Sequence, residues 1–337
     1  MDFVLIWVDG GDEEWLKEKA KYSGTPVDNA AARFRDWGLL KYWFRGVEQF
    51  APWVDKIHFV TCGHTPAWLN LDHPKINFVR HSDYIPAKYL PTFNSHTIEL
   101  NLHRIKDLSE EFVYFNDDMF LVAPAKPTDF FRNGLPCDEA SMQFLLPKRY
   151  NISKSIDGHN MGVLNRNFSK KKSVRKHLFK FFNPAYGLKN NLYTLYTMAS
   201  PVFPGFKRTH TAQSFLKSTF VDLWEKEPDV LDATSTCKFR SFFNVNQYLF
   251  RYWQIAQGRF APVNMHSVRQ RFDLDVDDAG DIAKAICEKK YKAICINEDE
   301  NENLDVFENI QKKLVAAFEQ ICPRSQHSRS KYARIIG

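Results

Sequence analysis

Short apolar runs alternate with amphipathic stretches through the first 125 residues of the chain. Four of these runs are rich in β-branched and aromatic residues and are bounded by polar or turn residues, which predicts strands. The stretches between them place apolar side chains at helical spacing, most clearly over residues 36–50 and 94–105. Alternation of this kind indicates βαβ units and a mostly parallel sheet. The predicted strands are residues 3–8, 56–61, 75–79 and 112–115.

The pattern divides the chain into four parts. An α/β part comes first and is followed by an insertion or lid region, rich in proline, asparagine and aromatic residues, that we expect to be helical. A helical part with one more strand then completes the domain, and a short basic tail ends the chain. We place these parts at residues 1–125, 126–204, 205–322 and 323–337.

The third part is predicted to hold two helices, a strand and a final helix. The second of these helices would carry Phe242, Val245, Leu249 and Trp253 along one stripe. The predicted bounds are 212–225 and 238–257 for the two helices, 291–297 for the strand and 304–321 for the final helix.

Composition indicates an ordinary globular chain. Hydrophobic residues make up 44% and charged residues 26% of the 337 positions, which argues against a disordered chain and against a membrane-spanning one. The apolar stretch at the N-terminus is too short for a secretion signal, and acidic residues follow it at once. We therefore expect a soluble, cytoplasmic protein. Its six cysteines have neither zinc-site nor CxxC spacing, so reduced structural thiols are expected.

Part of the net charge of +6 lies in the tail, whose basic residues have no nearby acids. A solvated tail is the simplest interpretation, and contact with the anionic inner face of the cell membrane is the alternative. Nucleic acid is not an expected partner, because no nucleic-acid-binding motif occurs and acids are nearly as numerous as bases. The basic residues of the tail are Arg324, Arg329, Lys331 and Arg334.

Polar residues follow directly after two of the predicted strands. Asn116, Asp117 and Asp118 end one of them, where adjacent carboxylates could hold a hard divalent ion against a diphosphate. Asp9, in the motif WVDGGD, ends the first strand, where it could bond the base or ribose of a nucleotide. Solvated turns contain the same residue types, so each motif alone leaves a purely structural interpretation open.

Other candidates pair a titratable or amide group with a strand end or a helix start. His96 and Glu99 are three residues apart and share a helical face, although a capping or core role also suits His96. His210 could take a proton from a hydroxyl, and Arg240 could hold phosphate oxygens, but each is also a common structural residue. The remaining candidates are Arg35, Asp36, Asp83, Asn94, Asn297 and Glu298.

Taken in their order along the chain, these motifs resemble the Stealth family of hexose-1-phosphate transferases. That family includes bacterial capsular and cell-wall polysaccharide phosphotransferases and the catalytic part of the eukaryotic N-acetylglucosamine-1-phosphotransferase. The chain departs from the family pattern after His210, where Thr-Ala-Gln replaces a common proline, and at Glu298, where aspartate is common. The resemblance covers residues 2–10, 33–131, about 206–257 and 293–301.

The resemblance implies a GT-A-like (Rossmann-like) nucleotide-sugar-binding α/β domain, a UDP-sugar donor, and Mg²⁺ or Mn²⁺ as cofactor. It also implies roles for individual residues. Asp118 and Glu99 would bind the metal, while His210 would act as general base and Arg240 would stabilise phosphoryl charge. Asp117 and Asp36 would complete the catalytic set. The implied substrate contacts are Asp9, Arg35, Asp83, Asn94, His96, Asn297 and Glu298.

The function implied is transfer of a sugar 1-phosphate from a UDP-sugar to a hydroxyl of an oligosaccharide or lipid-linked glycan, in capsular or cell-wall polysaccharide synthesis. The products would be a phosphodiester and UMP. The first alternative is a GT-A glycosyltransferase, which would use the same acidic metal site and release UDP. The second, a non-catalytic glycan-binding module, has no need for this concentration of acids, histidine and arginine at strand ends.

Overall fold

The computed structural model describes residues 1–23, 37–146, 152–274, 277–297, 304–323 and 335–336. Arg35, Asp36, Glu298 and the basic residues of the tail lie outside the described residues. The strands are β1 (Asp2–Ile6), β2 (Ile57–Thr61), β3 (Ile76–Arg80), β4 (Glu111–Phe115), β5 (Met119–Leu121), β6 (Phe131–Arg132), β7 (Leu135–Asp138), β8 (Gln213–Leu216), β9 (Ala261–Pro262), β10 (Arg269–Asp273) and β11 (Ala293–Asn297).

The main sheet has the strand order β3-β2-β1-β4-β8. Its first four strands are parallel, and β8 runs antiparallel to β4 at the edge. The carboxyl ends of parallel strands meet at one edge of a sheet, so the residues that follow β1, β2, β3 and β4 are brought together there. A smaller sheet, β10-β11-β5, begins where β4 ends.

Helices cover both faces of the main sheet. They are α1 (Glu13–Tyr22), α2 (Leu40–Phe50), α3 (His81–Tyr84), α4 (Ser95–Leu100), α5 (Ile152–Asn167), α6 (Lys170–Lys176), α7 (Leu178–Phe181), α8 (Gly187–Thr197), α9 (Lys217–Lys226), α10 (Pro228–Thr236), α11 (Tyr248–Gln257), α12 (Ala279–Cys287) and α13 (Leu304–Ile321). The result is a mixed α/β fold with a parallel-rich sheet, which is compatible with a Rossmann-like fold.

Alternate residues of β1 point to opposite faces of the sheet, as the strand period of two requires. Phe3 and Leu5 pack into a cluster that includes residues of α2, α12 and α13, whereas Val4 packs with residues of α5, α9 and α11. On the first face α2 lies close to β5, because Gly46 has no Cβ; a Cβ there would lie 2.8 Å from the carbonyl oxygen of Leu121. This contact holds β5, and with it the turn that precedes β5.

The strands predicted from the apolar runs are confirmed, with bounds that move by one or two residues, and the final helix is confirmed at 304–321. The helix predicted over 212–225 is wrong at its start, because residues 213–216 form β8. All four of these residues are buried, and a fully buried run fits a strand or a helix equally well by periodicity alone.

The helix predicted over 238–257 is also too long, since α11 begins only at Tyr248. Asparagine side chains bond backbone amides before that point: Asn244 accepts from Ser241, and Asn246 accepts from Tyr248. Such local bonds compete with helix formation. Phe242 is 40% exposed and therefore does not belong to the buried stripe of this helix.

The predicted insertion consists largely of α5 to α8 and is helical, as expected. Met161 and Leu164 of α5 lie in the same hydrophobic cluster as Val4 and Phe112 of the main sheet. The insertion therefore shares a core with the sheet, while the boundaries at residues 125, 204 and 322 stay a prediction.

Candidate active site

A tight turn at the end of β4 positions the acidic residues Asp117 and Asp118. The amide of Met119 donates to the carbonyl oxygen of Asn116 at 3.1 Å and closes the turn. The amide of Ile296 in β11 donates to the carbonyl oxygen of Asp118 at 2.8 Å, which holds the backbone of Asp118 against the smaller sheet. The carboxylate of Asp118 is thereby fixed between the two sheets, whereas the side chain of Asp117 is exposed.

The pairing of β8 with β4 brings His210 close to this turn. Tyr114, near the end of β4, pairs with Gln213 at the start of β8, and His210 lies three residues before Gln213. Nε2 of His210 lies 3.4 Å from Oδ2 of Asp118, and its Nδ1 lies 3.2 Å from the hydroxyl of Tyr248. The strand order therefore assembles an aspartate–histidine pair from residues that are far apart in the sequence.

Cys295 completes a three-residue cluster with Asp118 and His210. Its Sγ donates to Oδ2 of Asp118 at 3.2 Å, and one ligand atom from each of the three residues lies within 4.8 Å of the other two. The antiparallel pairing of Cys295 with Met119 brings it there. The sequence interpretation missed Cys295, because nothing in the sequence shows that β11 pairs with β5.

Opposing effects act on the pKa values in this cluster. Burial raises the pKa of Asp118, but the charge of His210 and hydrogen bonds from His210 and Cys295 lower it, and the net pKa is below its usual value. Burial and the nearby Asp118 raise the pKa of Cys295 well above its usual value. The carboxylate of Asp118 is therefore ionised and the thiol of Cys295 stays protonated at neutral pH.

One carboxylate oxygen of Asp118 accepts no hydrogen bond from the described residues. Its Oδ2 faces His210 and Cys295, but its Oδ1 is buried and receives no hydrogen bond from any described residue. Buried carboxylate oxygens normally have a partner, since leaving one unpaired is costly. This oxygen is therefore available to accept a hydrogen bond or to coordinate a cation.

Glu99 is linked to the same turn through Tyr114. The Tyr114 hydroxyl donates to Oε1 of Glu99 at 3.0 Å and also contacts the side chain of Asn116, while the backbone amide of Gln247 donates to the other oxygen of Glu99 at 3.4 Å. Burial raises the pKa of Glu99 to about 7, although the charge of Arg240 and these hydrogen bonds act in the opposite direction. Glu99 is thus a buried carboxyl group beside the Asp118 turn, outside the three-residue cluster.

Arg240 lies near Glu99 at the start of α4. Its Nη2 donates to Oγ of Ser95 at 2.7 Å, and its positive charge acts to lower the pKa of the buried Glu99. The structure therefore brings five of the predicted site residues to one region. Asp117, Asp118 and His210 lie around the turn, Glu99 is linked to it through Tyr114, and Arg240 lies near Glu99.

Asp9 lies at the same edge of the sheet, in a cleft of about 210 Å³. Its Oδ1 accepts from the amide of Gly11 at 2.9 Å, and its own amide donates to Nε2 of His64, which follows β2. Trp7, Trp68 and Lys41 also line this cleft. The sequence interpretation missed His64, although its position after a predicted strand was a usable signal.

The other predicted contacts have structural partners. Asn94 caps α4, because its side chain accepts a hydrogen bond from the amide of His96 at 3.2 Å. Asp83 caps α3 by accepting one from the amide of Arg80 at 2.7 Å. His96 is 5% exposed, within the first turn of α4. The amide nitrogen of Asn297 donates to Asp273 of the neighbouring strand at 2.9 Å. Their substrate-binding roles stay a prediction.

Asn94 offers a direct test of a structural role. Its side chain is fully buried and donates to Asn244 at 3.0 Å and to the carbonyl oxygen of Cys237 at 3.3 Å, besides capping α4. We expect Asn94→Ala to lower the free energy of unfolding by about 1–3 kcal/mol, because a buried network is opened. Urea unfolding measures this. Unchanged stability combined with lost UDP-sugar affinity would instead assign Asn94 to substrate binding.

Comparison with known proteins now identifies the family. Residues 33–137 match the model of Stealth protein conserved region 2. The chain is 40% identical over 335 residues, 98% of both chains, to a capsular polysaccharide phosphotransferase, WcwK, of Streptococcus pneumoniae. It is 41% identical over 96% of its length, and 97% of the relative's, to the receptor polysaccharide phosphotransferase WefC of Streptococcus oralis.

A further relative is the exopolysaccharide phosphotransferase cps2G of Lactiplantibacillus plantarum, 39% identical over 96% of this chain and 94% of its own. The chain therefore belongs to the Stealth family of phosphotransferases, as its motifs predicted, and it is a phosphotransferase enzyme. Within the part of the chain that the structure describes, no helix has the length and apolarity needed to cross a bilayer.

Proposed function

We propose that this phosphotransferase moves a sugar 1-phosphate from a UDP-sugar to a hydroxyl of a glycan, in the synthesis of a capsular or other exported polysaccharide. The observation that carries the proposal is the Asp118–His210 pair at the carboxyl edge of the main sheet, 3.4 Å apart, in a member of the Stealth family. The names of the relatives support a polysaccharide product, since each is called a capsular, receptor or exopolysaccharide phosphotransferase.

The cleft at Asp9 suits the nucleotide part of the donor. Trp7 and Trp68 offer aromatic surface for a base, the carboxylate of Asp9 accepts hydrogen bonds, and Lys41 supplies positive charge. In open α/β sheets ligands bind outside the carboxyl ends of the strands, and Asp9 and Asp118 follow the adjacent parallel strands β1 and β4. A donor could therefore lie along this edge with its base at Asp9 and its diphosphate at Asp118. The strand order β3-β2-β1-β4 supports a GT-A-like domain for this purpose.

Mg²⁺ or Mn²⁺ fits the residues present at Asp118. The buried Oδ1, which receives no hydrogen bond from the described residues, is the kind of hard oxygen ligand that these ions prefer. Cys295 is a poor ligand for them because its thiol is soft and protonated. Asp118 would hold the ion, with Glu99 as the further predicted ligand, and a bound ion would neutralise charge on the donor diphosphate.

We assign to His210 the removal of the proton from the acceptor hydroxyl. The ionised carboxylate of Asp118 can only accept, so Nε2 of His210 carries a hydrogen and Nδ1 is the basic nitrogen, facing the Tyr248 hydroxyl at 3.2 Å. The carboxylate orients the imidazole by facing its Nε2. An acceptor hydroxyl that reached Nδ1 would pass its proton there as its oxygen attacked phosphorus.

The proposed step forms one oxygen–phosphorus bond and breaks another. The acceptor oxygen attacks the phosphorus that bears the sugar, the bond from that phosphorus to the bridging oxygen breaks, and UMP leaves. Charge develops on the phosphoryl oxygens, and we assign its stabilisation to Arg240, whose guanidinium donates to Ser95 and lies near Glu99. The acceptor is an oligosaccharide or a lipid-linked glycan.

We expect His210→Ala to lower kcat by about 10²–10⁴-fold while donor affinity changes little, because a general base acts on the acceptor's proton. Donor titration by calorimetry and turnover with a soluble acceptor separate these effects. Tyr248→Phe, which removes the hydroxyl beside Nδ1, should retain turnover within a few fold, and His73→Ala on the turn before β3 serves as a matched control.

Near-normal turnover of His210→Ala, together with lost affinity for the UDP-sugar, would contradict this assignment. It would make His210 a binding residue and place the base elsewhere. Asp36, which lies outside the described residues, is the next candidate.

A further inference from the structure

Helix α8 presents the opposite pattern from an ordinary surface helix. Its inward face is polar: Thr194 accepts a hydrogen bond from the amide of Met142 at 3.1 Å, and Asn190 donates to Glu139 at 3.0 Å. Its outward face is apolar. A surface helix normally turns its apolar stripe to the core. The stripe of α8 points outward instead, where, among the described residues, the ring of Phe144 lies edge-on to Tyr196 with 5.8 Å between the ring centroids.

The apolar stripe continues onto α7 and forms one surface. Asn183 and Asn191 join the two helices, because Asn191 donates to the carbonyl oxygen of Asn183, and Asn183 donates to that of Phe179, both at 2.9 Å. We call this the α7–α8 surface. Its members, with their exposed fractions, are Leu178 46%, Phe179 84%, Leu188 77%, Leu192 55%, Tyr193 53%, Leu195 59% and Tyr196 70%.

Single exposed apolar residues are normal on a protein, but seven on two joined helices mark an interaction surface. Leu188, Leu192 and Leu195 follow the spacing i, i+4, i+7, so they lie along one line of α8. The helix is thus built to present apolar side chains outward, with its hydrogen-bonding groups directed into the fold.

The charged residues in the stretch of chain that contains this surface are all basic. Residues 158–221 contain 11 Lys and Arg and no Asp or Glu, although the whole chain carries a net charge of only +6. Lys171, Lys172, Arg175 and Lys176 are exposed on α6, which runs directly into α7. Nζ of the buried Lys170 donates to the carbonyl oxygen of Thr197 at 2.8 Å and fixes α6 to the end of α8.

We propose that the α7–α8 surface inserts into the interface of an anionic lipid bilayer, with the basic residues of α6 against the headgroups. Interfacial helices combine one apolar face with flanking Lys and Arg, and tyrosines favour the headgroup level. Lys189, which is exposed on α8, can extend its charged end to the headgroups while its stem stays apolar. A protein partner would need an acidic, apolar face; the uninterrupted positive charge fits a bilayer rich in anionic lipid.

The test is co-sedimentation of the full chain with vesicles of phosphatidylcholine alone or with about one third phosphatidylglycerol. We expect binding to the anionic vesicles that weakens as KCl is raised, and much weaker binding to phosphatidylcholine alone. The variant Phe179→Gln/Leu188→Gln/Leu192→Gln/Leu195→Gln should bind at least about tenfold more weakly. Replacing Lys171, Lys172, Arg175 and Lys176 by Gln should cost roughly fivefold per charge.

The matched control is Leu16→Gln/Leu71→Gln, which changes two apolar side chains, each 39% exposed, on other elements. It should bind as the unmodified chain does. Circular dichroism and turnover with a water-soluble acceptor show that each variant is folded, and because vesicle binding needs no UDP-sugar, it stands or falls separately from the proposed function.

Two outcomes would overturn the proposal. The unmodified chain could fail to bind anionic vesicles, or the control could lose binding as much as the four-residue variant. Sedimentation velocity measures, in addition, whether the chain forms a dimer. A dimer that the four-residue variant abolishes, without any vesicle binding, would show that a second copy of the chain covers this surface.

Discussion

Incubation of the protein with a UDP-sugar and a glycan acceptor should release UMP and leave phosphorus in the glycan. Attack at the phosphorus that bears the sugar keeps the sugar joined to its phosphate, so the new linkage is a phosphodiester. Attack at the anomeric carbon would instead release UDP and leave a product without phosphorus. An acidic metal site at Asp118 suits either reaction, so the identity of the nucleotide decides between them.

Nucleotide separation by chromatography together with phosphorus NMR of the glycan measures both products of one reaction. A panel of UDP-hexoses avoids assuming which sugar is transferred. Release of UDP with a phosphorus-free glycan would make the protein a glycosyltransferase and end the proposed chemistry, while leaving its membership of the Stealth family unchanged. Reactions without acceptor provide the control for simple hydrolysis of the donor.

The variant Asp118→Asn should lose at least about 10²-fold in kcat and much of its affinity for Mn²⁺. Asparagine has the same size but removes the negative charge that faces His210, and it replaces one of the two carboxylate oxygens by an NH2 group, which cannot bind a metal ion. Turnover of the unmodified protein should likewise stop in excess EDTA and return with Mg²⁺ or Mn²⁺. Steady-state kinetics and a titration with Mn²⁺ followed by electron paramagnetic resonance measure the two effects.

The control for this variant is Asp72→Asn, an exposed carboxylate on the turn before β3. It should match the unmodified protein in turnover and in Mn²⁺ affinity. Full turnover of the unmodified protein in excess EDTA would contradict the metal proposal. Full turnover of Asp118→Asn would show in addition that the charge next to His210 is dispensable.

The strands of the main sheet could be predicted closely because their residues are apolar runs that end at polar turns. The apolar run at 112–115 is followed by the polar residue Asn116, and the observed strand likewise ends at Phe115. The bounds of α13 were predicted correctly because its apolar positions repeat at helical spacing over many turns. Both cases rest on local patterns that extend over the whole element.

The errors fell where long-range contacts outweigh local pattern. Residues 213–216 form a strand because β4 offers them an antiparallel partner about 100 residues earlier in the chain, and their own pattern does not show this. The segment before α11 is held out of the helix by Asn244 and Asn246, whose side chains accept hydrogen bonds from the distant Asn94 and Asn160 as well as from nearby backbone amides.

The site shows the same division. Asp118 and His210 could be singled out from their motifs and the family resemblance, but their contact follows from strand order. Cys295 and Tyr248 could not be found, since Cys295 is 177 residues from Asp118 and is a plain apolar position in its strand. Glu99 was expected as a metal ligand; its burial and its bond to Tyr114 appear only in three dimensions.

The position of the edge strand β8 late in the chain also determines when the Asp118–His210 pair can form during synthesis. Ribosomes deliver the chain from its N-terminus, so the residues of β1 to β4 and of the Asp9 cleft are made before residues 210–216. The Asp118–His210 pair closes only when β8 docks on β4, and Cys295 joins later still. An incomplete chain that stops before residue 210 therefore lacks this pair and should not turn over.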